Sequence, residues 1–564
     1  MSTTPTAPPQ TTRLRARLVA IAVAALAAVD ASAATIYVNV TNESGIEDGT
    51  PAHPFNTIQE GIDGAAGGDR VQVASGLYKE TILMKDGVSV LGSGAQTTVI
   101  DGTGLQNSVV TFDRTRQNPL LRGFTIKGGH GDQISTSGGV PVYAGGGILI
   151  LDSSPIVNRN VITQNTITQG YCLGGGIYVS SNISAPEITD NVISDNVARS
   201  VTQTGSGEGG GVYIVTKTGS AFLSGNLIES NQAISGGGIF VENATASTVQ
   251  IGRNIVRDND AKFGGALFSR AVGGSVTTIV NNLIAENGSI EPGSQGGGIV
   301  AYALGTGSFS LAENTLVDNG VAAGNGGAVW LDDHLSSVPN VVANNVVAGN
   351  AALHGGGIDY SAFIGTIRSN AFHGNTNGDL YTAGGSGATL IDNLFVDPVF
   401  VAPAQDNFRL QTGSPCIDTA YENAAPADDL DGFIRPFDGD GDLSAASDIG
   451  THEYPGGEAF GLTFLADGQS LSWPTLAAHD GYNVYRGSLA RLRSTGEYTQ
   501  SVLTEPMAAR FCNILPTQVP FVDAFAPTPG ACVFYLMTAV IGEWEGPLGT
   551  SSLGLQRQND NPCP

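Results

Sequence analysis

Two short motifs alternate eight times along this chain, and their repetition restricts its fold more than any other feature. The first is a glycine-rich tetrapeptide such as GGGI or GGAV, and its copies begin at residues 145, 174, 209, 236, 264, 296, 326 and 355. The second is a hexamer with Asn at both ends, such as NVISDN, and its copies begin at residues 160, 191, 226, 254, 282, 314, 345 and 370. A repeat of about 30 residues is one supersecondary unit, and stacked units bury a shared core.

The residues around both motifs predict strands. After the glycines the sequence alternates with β-branched and aromatic residues, as in Val212-Tyr213-Ile214, and the hexamer supplies a second short apolar stretch such as Val192-Ile193. Glycine and asparagine at the corners suit left-handed backbone conformations. Short strands repeated in register predict an all-β solenoid, a parallel β-helix. We expect its corner asparagines to bond to their copies on neighbouring coils.

Other stretches carry a family resemblance. DGTPAHPFNTIQEGIDGAAGGDRVQVASGLYKETI (48–82), LRGFTIKGG (121–129) and RPFDGDGDLSAASDIGTHEY (435–454) resemble secreted right-handed parallel β-helix proteins of the pectate-lyase-like superfamily. The resemblance implies a β-helix over residues 35–455, with terminal coils at its end. It says little about activity, because that superfamily holds lyases, hydrolases, epimerases and proteins without an assigned reaction. Independently, the capping-box pattern TIQE (57–60) predicts a short N-terminal helix that covers the first coil.

The chain changes character after residue 455. Residues 456–564, with LTFLADGQSLSWPTLAAHDGYNVYRGSL (462–489), resemble a fibronectin type III β-sandwich. Its three cysteines, Cys512, Cys532 and Cys563, allow three pairings, of which we favour Cys512–Cys563.

The N-terminus indicates export, and the net charge limits the possible partners. Residues 1–34 read as a signal peptide, with three arginines before a short apolar run and small residues after it. The chain has 25 Lys and Arg against 51 Asp and Glu, a net charge of −26, which argues against nucleic acid as a partner. An acidic polymer would need local basic groups or bridging cations. We expect a secreted or cell-surface monomer with no membrane-spanning segment after signal cleavage.

An outward aromatic row is the predicted binding surface. The residue after the inward aliphatic one is aromatic on several coils, and a second outward position adds further rings. The candidates for substrate binding are Tyr178, Tyr213, Phe240, Phe268, Tyr302 and Trp330. Rings in line along a groove suit the faces of sugars. The alternative is that these rings only pack on one another and under the loops before each glycine motif.

Candidate catalytic groups lie near the same face. The catalytic candidates are Asp332, Asp333, Asp359, His354, Arg270 and Glu242. Carboxylates on neighbouring coils suit acid and base roles in glycoside hydrolysis, whereas a lyase needs a base beside a carboxylate-held cation. Neither set is a known signature, and solvated surface charge also explains these residues. The same holds for an acidic row formed by Asp258, Glu286 and Asp318.

Calcium is the one cofactor that the sequence suggests. Asp438, Asp440 and Asp442 have the alternating spacing of an EF-hand loop, but Leu443 stands where that loop requires glycine. Two readings stay open, a turn tied by calcium with Asp448 or a plain acidic turn. Taken together, the sequence favours carbohydrate binding by the aromatic face, with two alternatives: a polysaccharide lyase or glycoside hydrolase, and a non-catalytic stalk or adhesin.

Overall fold

The structure, a computed structural model, describes residues 33–203, 205–289, 291–384, 387–411, 413–422, 426–433, 435–437, 445–454, 462–473, 480–541, 544–545, 548, 557 and 559–563. All but the last two residues of the predicted signal peptide lie outside these ranges. So does the span 455–461, at which the domain boundary was predicted. Within the described part of the chain, no helix is long and apolar enough to cross a membrane.

Residues 35–395 form a right-handed parallel β-helix with three sheets, which confirms the predicted fold. Each coil passes in turn through sheets C, A and B, and neighbouring coils pair in parallel. Sheet A has 13 strands: Thr35–Val38, Arg70–Val73, Ser89–Gly92, Leu120–Arg122, Ile156–Asn158, Glu187–Thr189, Ser220–Ser224, Thr248–Gly252, Val276–Val280, Ser308–Ala312, Val341–Ala343, Thr366–Arg368 and Thr389–Ile391. Sheet B has 12 strands: Gly76–Tyr78, Thr98–Asp101, Thr125–Lys127, Val161–Thr163, Val192–Ser194, Leu227–Glu229, Ile255–Arg257, Leu283–Ala285, Thr315–Val317, Val346–Ala348, Ala371–His373 and Leu394–Phe395. Sheet C has 11 strands: Ile82–Leu83, Val110–Asp113, Ile148–Leu151, Ile177–Ser181, Val212–Thr216, Ile239–Ala244, Leu267–Val272, Ile299–Gly305, Val329–Ser336, Ile358–Ala362 and Leu380–Tyr381.

The hexamer asparagines form two buried ladders, as the sequence predicted. In the ladder between sheets A and B, each side-chain amide donates to the Oδ1 atom of the next coil at 2.8–3.2 Å, from Asn160 to Asn393. The second ladder follows sheet B from Asn165 to Asn375 at 2.9–3.0 Å. Both ladders satisfy backbone groups that the turns leave unpaired, so the hexamer is architectural.

The corners of the coils require left-handed backbone. The residue before each ladder asparagine has a positive φ, and this position holds Asp258, Glu286 and Asp318 on three successive coils. Their side chains are exposed, which agrees with solvated corner charge. The first glycine of each tetrapeptide also has positive φ: at Gly174, with φ of 64°, a Cβ atom would lie 2.3 Å from the Ile177 carbonyl oxygen.

A helix closes the N-terminal end of the core. It spans Ile58–Gly64 and begins with the predicted capping box, in which Thr57 accepts from the backbone of Glu60 and Glu60 accepts from that of Thr57. Ile58 and Ile62 are buried against the first coils. The helix therefore covers apolar surface that would otherwise face water.

The described residues between 396 and 454 do not form further coils, contrary to our expectation. A hairpin of Phe400–Ala402 and Asn407–Leu410, joined by a 3-10 turn at Pro403–Gln405, starts a wrap that runs to residue 454. The wrap packs Phe408, Cys416 and Ile449 on the outer face of sheet B. The outer face of sheet B explains this difference. It carries apolar residues such as Leu283 and Val346, and burying them requires a second layer.

A buried ionic cluster fastens the wrap to the corner of the coils. Arg435 contacts Glu313 at 2.9 Å and Glu453 at 3.0 Å, and all three side chains are fully buried. Burial raises the pKa of Glu313 to about 8 and that of Glu453 to about 7, because one guanidinium offsets only part of the cost of two buried carboxylates.

The C-terminal residues form a small β-sandwich. One sheet holds Thr463–Phe464, Ser470–Ser472 and Phe521–Val522, and the other holds Gly481–Ser488, Ala509–Ile514, Val533–Ile541 and Trp544–Glu545. A helix at Leu489–Thr495 and a 3-10 turn at Pro516–Gln518 complete the unit. Cys512 is bonded to Cys563, as favoured from the sequence. The fibronectin type III assignment stays a prediction.

Candidate functional site

The predicted aromatic row exists on sheet C. Four rings stack coil upon coil, with centroids 5.3 Å apart for Tyr178 and Tyr213, 5.1 Å for Tyr213 and Phe240, and 4.9 Å for Phe240 and Phe268. The row then steps sideways, because Val300 occupies the next position in the column. Tyr302 lies 5.4 Å from Phe268, and Trp330 lies 5.0 Å from Tyr302, both in tilted arrangements.

Half of this row is covered, which is the alternative that the sequence left open. Tyr178, Tyr213 and Phe240 are only 6%, 5% and 5% exposed. A three-stranded sheet of Asp132–Ser137, Val140–Ala144 and Tyr171–Leu173 lies over them and contributes Ile134 and Leu173 to their cluster. These rings therefore act as core, and the alternative reading of the sequence holds for them.

The other half of the row reaches the surface. Phe268, Tyr302 and Trp330 are half-buried, so part of each ring is accessible. The described surface thus offers three adjacent, accessible rings. They extend the rigid stack of rings that lies beneath the covering sheet. Such partly exposed aromatic groups are typical of ligand-binding clefts.

Charged residues line the next column of sheet C. Glu242, Arg270, Tyr302 and Asp332 stand in register on four successive coils. Glu242 forms an ion pair with Arg270 and accepts a 3.4 Å hydrogen bond from the Tyr213 hydroxyl. The structure therefore brings together two predicted site residues, Glu242 and Arg270, beside the point where the covered rings end.

A third acidic group, Glu208, joins these residues and was missed from the sequence. It directly precedes a glycine motif and is half-buried. Burial raises its pKa to about 6, and the negative charge of Glu242 adds to this effect, whereas Arg270 opposes it. Burial is the main reason that the pKa of Tyr213 is raised, and the negative charges of Glu208 and Glu242 add to this effect. Glu208 is the one acidic residue among those that precede the eight glycine motifs, and this was the available signal.

Two predicted catalytic residues have structural roles instead. Asp333 is fully buried, because a bulge in its strand turns it inward, and it accepts from Asn340 at 2.8 Å and from the backbone of Ile364 at 2.6 Å. Asp359 is 1% exposed and accepts from the backbone and hydroxyl of Ser361 at 2.9 and 2.6 Å. Their acceptor capacity serves nearby backbone and side-chain groups of the coils, so we withdraw both as catalytic groups.

The remaining candidates stay near the exposed rings. Asp332 is half-buried. Burial of the Tyr302 side chain raises the pKa of Tyr302, and the negative charge of Asp332 adds to this effect. His354 is exposed, with its ring 5.0 Å from that of Tyr381. Both lie coils away from the Glu208 and Glu242 pair, so they border the surface without joining that pair.

The structure does not test the predicted calcium site. Asp438, Asp440 and Asp442 lie outside the described residues. Asp448 is buried and accepts from the backbone of Asp418 at 2.8 Å, within the cluster that fastens the wrap. Among the residues with described positions, no group of three or more His, Cys, Asp or Glu side chains is placed to hold a metal ion.

A family model agrees with the fold. The family model "Right handed beta helix region" matches residues 84–316. No curated protein matches the sequence. The solved structures that resemble this chain include XylC in complex with xylose, at 10% identity and a TM-score of 0.37, covering 74% of this chain and 98% of that one.

Two further structures are similar at the same level. The pectate lyase Pel9A is 11% identical with a TM-score of 0.38, covering 75% of this chain and 96% of its own. The A-module of the mannuronan C-5 epimerase AlgE4 from Azotobacter vinelandii is 17% identical with a TM-score of 0.32, covering 63% and 95%. Similarity this distant carries no information about the activity of this chain.

Proposed function

We propose that this protein is exported and binds a polysaccharide along Phe268, Tyr302 and Trp330, which we call the exposed aromatic strip. The observation that carries this proposal is the continuity of the row. Rings 4.9–5.4 Å apart leave the covered stack and reach the surface as a line of three. Sugar rings pack their apolar faces on such surfaces, and the rigid coils hold the strip in its binding geometry at little entropic cost.

Binding to neutral polysaccharides tests this proposal. Purified residues 35–564 are titrated with soluble xylan, glucan and mannan fragments by calorimetry. For the fragment that binds, Trp330→Ala should weaken affinity about tenfold, which corresponds to about 1.4 kcal/mol. Phe222→Ala is the matched control, because Phe222 is 38% exposed and lies on sheet A, away from the strip. Equal losses in both variants, or none in Trp330→Ala, would contradict the proposal.

A second candidate function is glycoside hydrolysis, and the Glu208–Glu242 pair favours it. Glu208 has a pKa raised to about 6, and Glu242 forms an ion pair with Arg270. A carboxyl with a raised pKa beside a second carboxylate can serve as general acid, while the second group serves as base or nucleophile. In this scheme Glu208 protonates the glycosidic oxygen, while Glu242 activates water or attacks the sugar carbon.

The release of reducing ends separates cleavage from binding alone. Glu208→Gln and Glu242→Gln should each abolish product formation, whereas Glu187→Gln, an exposed site on sheet A, should not. Activity should decline as the pH rises through about 6, because Glu208 then loses the proton that it donates. Binding without product in the unmodified protein would leave the exposed aromatic strip as a lectin-like surface.

A further inference from the structure

A large cavity lies on the opposite side of the β-helix from the aromatic row. It has a volume of about 1360 Å³ and follows the corner between sheets A and B over several coils. Strand and turn residues between Arg70 and Glu286 form its floor, and its sides are lined by wrap residues such as Asp406 and sandwich residues such as Tyr498. Because sheet C forms the third side of the coil, this cavity is separate from the exposed aromatic strip.

Arginine is concentrated in this cavity. Its lining includes seven of the chain's 25 basic residues: Arg70, Arg122, Arg159, Arg253, Arg257, Arg409 and Arg493. Four acidic residues also line it: Asp190, Glu286, Asp406 and Asp431. In a protein of net charge −26, this is a local excess of positive charge.

The arginines fall into two groups. Three of them have carboxylate partners, as in the contacts of Arg253 with Asp428 at 2.6 Å and of Arg409 with Asp431 at 2.8 Å, and Arg257 also has a carboxylate partner. Within the described part of the chain, the guanidinium groups of the other four have neither a hydrogen bond nor an ion pair. These four are Arg70, Arg122, Arg159 and Arg493.

Arg122 and Arg159, two of these four arginines, lie on adjacent coils, close enough to repel each other. Arg122 pairs in register with Asn158, so that Arg159 follows on the adjacent coil with φ of 54°. Burial and then the charge of Arg159 lower the pKa of Arg122, an effect that Asp560 and Asp190 oppose. Two half-buried cations placed side by side repel each other, and a bound anion would relieve this repulsion.

We propose that this arginine groove binds an acidic polysaccharide through its carboxylate groups. The planar guanidinium fork matches a carboxylate, and Arg122 and Arg159, on adjacent coils about 4.8 Å apart, can face neighbouring charges of one polysaccharide chain. Nucleic acid is disfavoured, because the lining offers little surface for base stacking: Phe408 and His452 are buried, which leaves Tyr498 as the accessible ring of the lining. The groove acts independently of the exposed aromatic strip.

The test uses residues 35–564 and a fluorescently labelled polygalacturonate oligomer, with labelled dextran as the neutral probe. The double variant Arg122→Gln/Arg159→Gln should bind polygalacturonate at least tenfold more weakly than the unmodified protein in low salt. The control Arg114→Gln/Lys217→Gln changes the net charge equally at exposed positions outside the groove and should bind normally. Circular dichroism and thermal unfolding serve as controls for the folding of both variants.

The outcomes separate this proposal from the aromatic one. Trp330→Ala should leave polygalacturonate binding unchanged, so failure of the strip to bind neutral glycans would not affect the groove. Unaltered polygalacturonate binding in Arg122→Gln/Arg159→Gln would overturn the proposal, and so would an equal loss in the charge-matched control. Competition by single-stranded DNA at the same concentration as polygalacturonate would overturn the choice of an acidic polysaccharide.

Discussion

Asn226→Ala tests whether the ladders stabilise the β-helix. The Asn226 side chain accepts from the backbone and side chain of Asn191 at 2.9 and 3.1 Å, and donates to Ile188, Ser224 and Asn254 at 2.9–3.1 Å. Alanine removes all five bonds from a site that is 1% exposed. At about 1 kcal/mol net per bond, the free energy of unfolding of the affected coils should fall by about 5 kcal/mol.

Asn393→Ala provides an internal control at the end of the same ladder. Asn393 accepts twice from Asn370, at 3.1 and 3.0 Å, and donates once to Ile367 at 2.9 Å. It is half-buried, so water can replace part of what alanine removes. The same reasoning gives a loss of about 3 kcal/mol or less.

The assay must resolve parts of the chain, because repeat arrays often unfold in segments. Urea unfolding followed by circular dichroism gives the overall loss, and amide hydrogen exchange locates it. Faster exchange in Asn226→Ala should centre on the coils that carry Asn191 and Asn254. Losses below about 1 kcal/mol in Asn226→Ala, or equal losses in both variants, would refute the additive treatment of the ladder.

Three further predictions concern the wrap and the sandwich. Arg435→Met leaves Glu313 and Glu453 buried without the guanidinium that contacts both. It should lower the free energy of unfolding by about 3–5 kcal/mol and speed proteolysis of residues 413–454. Unchanged cleavage would show that apolar packing alone holds the wrap. Stability of the wrap should fall as the pH rises from about 4.5 toward 7–8. The folded state keeps protons on Glu313 and Glu453, whose pKa values are raised, whereas the unfolded chain, with an ordinary pKa of 4.5, releases them. Hydrogen exchange at pH 5 and 7.5 checks the direction of this change. Reduction of Cys512–Cys563, whose cysteines are 51 residues apart, should destabilise the sandwich by about 4 kcal/mol and leave the β-helix transition in place, as followed by calorimetry with and without reductant.

The repeating part of the fold was predictable because each coil meets the same physical demands. Every turn needs left-handed backbone and buried acceptors for its unpaired amide groups, so glycine and asparagine recur at fixed positions. The capping helix was also predictable, since the Thr57 and Glu60 pattern is local. Register followed from the alternation of apolar residues along each strand.

The site was less predictable because it depends on segments without a period. Nothing in the repeat indicates that the sheet of Asp132–Ala144 and Tyr171–Leu173 folds over Tyr178, Tyr213 and Phe240. The bulge that buries Asp333 is likewise invisible in an alternating pattern. Glu208 escaped notice because its environment comes from neighbouring coils rather than from its own sequence.

The ladders also determine how such a molecule can grow. Consecutive asparagines in the first ladder are 23 to 35 residues apart, yet their contacts keep nearly the same length. Differences in coil length are absorbed by the loops, so one complete turn could be duplicated or deleted without disturbing its neighbours. Both the strip and the groove would then lengthen or shorten in steps of about 4.8 Å. Descendants of this gene could match ligands of different size by changing the number of turns rather than redesigning a pocket.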